Sequence, residues 1–223
     1  MRVRIRGKVV LKKDGKVVAE VPNTILLANL TSILAQVFQG SPPSGSDSPS
    51  ISIVTGSGVI QVPVTYKDFV WAGSFTVDFP VTLLEFDLNA TFNGYPFPAS
   101  VIPTLLTIPQ GTYTVEWVWV VDDPVGLVRD ILNYGFAGVY KGFSVKAGTC
   151  TSLLGVDVFQ NFITLVFACF ESSTTTYTSF GIAFAITNTS NTTVTVTTSI
   201  PFFSNFQLVA PNTLVVPFTI ELV

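Results

Sequence analysis

Residues able to do chemistry are few in this chain of 223 amino acids, and histidine is missing altogether. Without it there is no Ser-His-Asp or Cys-His arrangement, and neither Cys150 nor Cys169 has an obvious base. Gly56-Ser57-Gly58 lacks the Lys and Ser/Thr of a phosphate loop. Three carboxylate sites remain: Glu85 with Asp87, Asp122 with Asp123, and Glu116 beside Trp117. A glycosidase needs two carboxyls about 5–9 Å apart across a cleft. Glu85 and Asp87 could meet that spacing on a strand, where i and i+2 lie about 7 Å apart. A solvated strand face accounts for them far better, since no second motif supports hydrolysis. An enzyme is not expected, and no cofactor is implied. Metal binding is not expected either, because no second cysteine pair exists. Cys150 and Cys169 are expected to be structural, either as two buried thiols or as one disulfide.

Charge is concentrated at one end. Residues 1–16 hold Arg2, Arg4, Arg6, Lys8, Lys12, Lys13 and Lys16 against Asp14, a local balance of +6. The other residues hold four basic and thirteen acidic groups, so the whole chain stands at −3. Arg2, Arg4, Arg6 and Lys8 alternate with Val3, Ile5, Gly7 and Val9, which puts four cations on one strand face. One reading is an edge strand protected from aggregation by charge. The other is an arm meeting an anionic partner, such as lipid head groups, nucleic acid or acidic protein. Specific nucleic-acid binding is not expected, since no aromatic residue interleaves with these bases. A signal peptide is not expected, because Lys8, Lys12, Lys13, Asp14 and Lys16 interrupt any apolar core.

Four glycosylation sequons occur, at Asn29, Asn89, Asn188 and Asn191. Asn188 and Asn191 fall at a predicted hairpin tip that could carry a glycan; Asn29 lies on a predicted helix and suits one poorly.

The elements that must hold these residues are strands. From Ser172 to Ile220 run 49 residues without a single Asp, Glu, Lys, Arg or His. Within them Phe180, Ile182, Phe184 and Ile186 alternate with Ser179, Gly181, Ala183 and Ala185. Leu214, Val216, Phe218, Ile220 and Leu222 likewise alternate with Val215, Pro217, Thr219 and Glu221. Period two of this kind marks antiparallel sheet with one packed face. Tyr113, Val115, Trp117, Trp119 and Val121 repeat the pattern upstream. Asp14-Gly15 predicts a hairpin turn. Leu26, Leu27, Leu30, Ile33, Leu34, Val37 and Phe38 predict a helix over 25–39, capped by Asn23 or Thr24 and stopped by Gly40. Residues 41–50 read as a loop, and Asp122, Asp123, Pro124 and Gly126 read as a domain boundary.

The expected fold is therefore all-β: two tandem antiparallel sandwiches of jelly-roll type, over 1–128 and 129–223, with one short helix. A single elaborated sandwich is the rival arrangement. A hydrophobic fraction of 48% with only 11% charged residues, and a mean hydropathy of +0.56, leave more apolar surface than small domains hide. No apolar run is long enough for a spanning helix, and the strands lack the polar lumen face of a membrane barrel. Burial against identical subunits, in a closed ring, is the expected outcome.

From RVRIRGKVVLKKDGKVVAEV through NTILLANLTSILAQVF to the Thr/Val/Phe-rich strands, the chain resembles the penton-base vertex proteins of archaeal turreted icosahedral viruses, in the jelly-roll capsid lineage. The resemblance covers the full chain and brings no catalytic residues with it. It implies a structural virion protein at the five-fold vertex, a pentamer supporting a turret and contacting the internal membrane side. Its implied partners are other copies of itself, other capsid and turret proteins, and a membrane-anchored viral protein or anionic lipid. The alternative, from another class, is a cell-surface adhesin or carbohydrate-binding β-sandwich protein.

Overall fold

The computed structural model describes residues 1–23, 25–103, 106–147 and 152–223. Its N-terminal part contains β1 (Arg2–Lys13), β2 (Lys16–Asn23), α1 (Leu27–Phe38), β3 (Ser50–Thr55), β4 (Gly58–Pro63), β5 (Thr65–Lys67), β6 (Val70–Val77), β7 (Val81–Phe92), β8 (Tyr95–Val101), β9 (Leu106–Ile108) and β10 (Gly111–Asp122). Then come α2 (Leu127–Phe136), β11 (Tyr140–Ala147), β12 (Ser152–Phe159), β13 (Phe162–Glu171), β14 (Thr175–Asn188), β15 (Thr193–Leu208) and β16 (Asn212–Leu222).

Three sheets result. The largest runs β12-β13-β16-β1-β10-β6-β5, with β2 also paired to β1. A three-stranded sheet runs β11-β14-β15, and a five-stranded one runs β4-β3-β7-β8 with β9 also on β7. Both smaller sheets lie against the large one. Phe184 of β14 meets Phe218 of β16 at 5.6 Å between ring centroids, and Phe97 of β8 meets Trp119 of β10 at 5.4 Å. The period-two pattern explains the sandwich: Phe180, Ile182, Phe184, Ile186, Val216, Phe218, Ile220 and Leu222 are all buried, as are Tyr113, Val115, Trp117 and Trp119. Alternation sends one set inward and leaves the other to cover the outside.

The strand order does not divide at residues 128/129 into tandem jelly rolls. β16 lies parallel to β1, with Arg2 opposite Glu221 and Val3 opposite Leu222. Backbone bonds from Ile5 N to Val223 O (2.8 Å) and from Val223 N to Val3 O (2.9 Å) tie the two chain ends together. The large sheet thus takes strands from both halves, and one hydrophobic cluster runs through the described residues of both.

Local chemistry explains most boundaries. Asp14 (φ 52°) and Gly15 (φ 75°) make the positive-φ turn between β1 and β2. Gly40, at φ 78°, ends α1, and the Ser41 N–H returns to the Gln36 carbonyl at 2.9 Å. The start of α1 differs from expectation. Its N-cap is Leu26, without a side-chain bond, while Asn23 is a buried end of β2 and Thr24 lies outside the described residues.

A second helix, α2, occupies the segment expected to link two domains. Leu127, Val128, Ile131, Leu132 and Phe136 are buried along one stripe, a period of about 3.6 legible in the sequence but unread there. The Asp123 carboxylate accepts from the backbone N–H of Val128 (2.7 Å), Arg129 (3.1 Å) and Val125 (3.0 Å). That satisfies donors the first turn would otherwise leave orphaned, so the acid-Pro-Gly cluster starts a helix rather than a linker. Phe136 then meets Trp71, Trp119, Phe97, Phe92 and Tyr66 at 5.2–6.1 Å, joining the large sheet to the five-stranded one.

Candidate interaction surfaces

The cationic face is the first place where the structure reassigns residues. β1 is an interior strand, neither an edge nor a free arm: β10 pairs along one side, β16 and β2 along the other. Its cations meet carboxylates of those neighbours. Arg2 pairs with Glu221 (3.2 Å), Arg6 with Asp122 (2.7 Å), Lys8 with Glu20 (3.0 Å) and Lys12 with Glu116 (2.6 Å). Lys13 donates to the Gln110 carbonyl at 3.0 Å and lies over the Tyr113 ring, while Arg4 and Lys16 are exposed. Glu20 faces Lys8 across the hairpin, but the other three acids come from β10 and β16, where no local pattern could have matched them to their cations. On this face Arg2, Arg4, Arg6, Lys8 and Lys12 stand against Glu20, Glu116, Asp122 and Glu221, a balance of only +1.

The carboxylate candidates for acid–base work are spread over the fold. Asp87 lies on β7 and accepts from Ser100 Oγ at 2.6 Å, with Glu85 two residues before it. Glu116 and Asp122 belong to the ion pairs above, and Asp123 caps α2. Among the described residues no group of three or more Cys, Asp or Glu side chains could hold a metal ion. Glu171, unremarked in the sequence, is a buried acid at the end of β13 that accepts a hydrogen bond from the Tyr177 hydroxyl.

Cys169 is buried and disulfide-bonded, which selects the disulfide over a buried thiol; Cys150 lies outside the described residues. The expected hairpin tip is present. Asn188 Oδ1 accepts from Ser190 N (3.0 Å) and Thr192 N (2.9 Å), and exposed Asn191 (φ 61°) accepts from Lys141 Nζ. Tyr66 donates to Asn133 Oδ1 at 2.8 Å, and burial raises its pKa well above the usual tyrosine range.

Farther along the same face of the large sheet, beyond β1, lies a stretch without charge. Along the outer face of β13 run Thr164, Val166, Ala168 and Phe170; opposite them on β16 run Thr219, Pro217, Val215 and Thr213. Phe170 is 66% exposed and Val215 56%. On neighbouring β12, Leu154 and Phe159 are 62% and 69% exposed, with Asp157 as the strand's acid. Sequence alternation predicted Val215 to point outward; strand pairing is what places it beside Ala168, in an apolar patch built from separate segments. Such a surface can do no acid–base chemistry, but it can bury area against another protein.

Comparison of the chain with protein-family models, curated proteins and solved structures finds no match.

Proposed function

We propose that this chain is a structural subunit of a protein shell, working as a closed ring of identical copies. The observation that carries this reading is the uncharged stretch of the outer face formed by Thr164–Phe170 of β13 and Thr213–Thr219 of β16, with Phe170 and Val215 more than half exposed. Large exposed apolar patches on a folded protein mark interaction sites, and identical subunits bury them head-to-tail until rotation closes the ring. The contrast with the β1–β10 part of the same face supports the choice of patch, since there each of four cations is matched by a carboxylate of the same chain. A face so nearly neutralised attracts anionic lipid weakly, so protein subunits fit as partners better than a membrane surface does. The resemblance to penton-base proteins supplies the rest of the reading: five copies, a capsid vertex, and turret and capsid proteins as neighbours.

Light scattering and native mass spectrometry of the purified chain test the ring. Val215→Asp places a charge in the middle of the apolar face, at an exposed position where the fold tolerates it. The expected result is a ring for the wild type and its dissociation in the variant, with an unchanged circular dichroism spectrum. A wild-type chain that stays monomeric and clear at high concentration refutes the proposal.

A further inference from the structure

We propose that the free edge of β15, between Thr193 and Ile200, pairs with the same edge of a second copy of this chain. The pairing is antiparallel about a two-fold axis and fuses two three-stranded sheets into one of six strands. This contact is separate from the ring face on β13 and β16.

The first support is position. β15 ends the order β11-β14-β15, and β14 pairs with it from Thr193 to Ile200 without a register shift. Alternate N–H and C=O groups of that segment therefore point away from β14, where no other described strand pairs with them. An edge of this kind is a template for another strand.

The second support is comparison with the other edges among the described residues, each of which carries a feature that discourages pairing. β12 has Asp157 and a register shift between Leu153 and Gly155. β11 has Lys141 and a shift between Tyr140 and Gly142. β2 carries Lys16, Glu20 and Pro22, and β8 carries Pro96 and Pro98. β5 and β9 are three residues each, and β4 ends at Pro63, whose carbonyl packs against Gly73 of β6. β15 has none of these from Thr193 to Ile200; its irregularity begins at Pro201, where the register with β14 jumps.

The third support is what the strand carries. Thr193, Val194, Thr195, Val196, Thr197, Thr198 and Ile200 are β-branched and suit a pleated surface. No charge occurs from Ser172 to Ile220, so two copies meet without like-charge repulsion. Thr193, Thr195, Thr197 and Ser199 are exposed on the outer face, and half-buried Val194 and Ile200 flank the core on the inner one. A second copy extends both layers with matching residues. Self-pairing also closes the assembly: the outer edges of the six-stranded sheet are both β11, which is blunted, so growth stops at two.

Thr195→Lys/Thr197→Lys tests the contact on the full chain, because both positions are exposed and the two-fold brings the added charges together. Native mass spectrometry should show an even number of copies for the wild type and half that number for the double-lysine variant. Hydrogen exchange across 193–200 in the wild type should slow as protein concentration rises, a readout that does not depend on the variant folding. Val215→Asp, in parallel, separates this contact from the ring. Loss of the ring with survival of a dimer supports both. If the lysine pair leaves the mass unchanged, or exchange is independent of concentration, the edge pairing is wrong whatever the ring does. If the lysine pair halves the mass while Val215→Asp changes nothing, the edge pairing holds and the ring is wrong.

Discussion

Replacing Gly135 with alanine is the sharpest test of how the two layers are joined. Gly135 is buried near the end of α2, and a Cβ built there would overlap the ring of Phe92 on β7. That ring is fully buried, against Phe136 at 5.9 Å and Tyr140 at 6.0 Å, so it has little room to retreat. Restoring an ordinary carbon–carbon contact of about 3.5 Å requires a shift on the order of 1 Å in one element or the other. Overpacking of this size costs about 1–3 kcal/mol, while the gain in helix propensity from Gly to Ala returns up to about 1 kcal/mol. A net loss near 2 kcal/mol is expected. With an unfolding entropy of about 2.1 cal/mol/K per residue over 223 residues, that lowers Tm by about 4 °C. Differential scanning calorimetry reads the change. Phe92→Leu supplies the second arm: in that background the alanine should cost much less, because the overlapping ring is gone, and the pair should be strongly non-additive. An alanine variant as stable as the wild type would refute the close helix–strand approach.

Three further expectations concern charge and capping. Changing Arg2, Arg4, Arg6 and Lys8 together to Gln should lower Tm only slightly, since exposed ion pairs contribute about 0–1 kcal/mol each; a large loss in thermal melts would mean the face is more coupled than its exposure indicates. Asp123→Ala removes the acceptor for three backbone N–H groups and should cost about 1–2 kcal/mol, read by urea unfolding, with Asp123→Asn closer to wild type. For Tyr66, burial raises the folded-state pKa above the unfolded value of about 10, so its contribution is complete below pH 10 and declines as pH rises beyond it. Tyr66→Phe should flatten that alkaline decline in a pH series of melts, and an unchanged slope would assign it to other groups.

Much of the layer structure was legible in the sequence. Period two names the buried faces of β10, β14 and β16 residue by residue, because a strand's alternation is a local property that each side chain carries with it. The turn at Asp14-Gly15 and the helix stop at Gly40 were readable for the same reason, as positive φ depends on the residue itself. The α2 stripe was equally local but was masked by the Asp-Pro-Gly run before it, which reads as a linker until Asp123 is seen capping the helix.

What only the tertiary structure decided is which strands are neighbours. Lys12 and Glu116 are 104 residues apart, and nothing near either one names the other. The same non-locality turned a row of cations from a protruding arm into an ion-paired interior strand. It also assembled Val166, Ala168, Phe170 and Val215 into one uncharged patch. Many strands here share the same Thr/Val/Phe alternation, so their order follows from the summed packing of both faces rather than from any single segment's pattern.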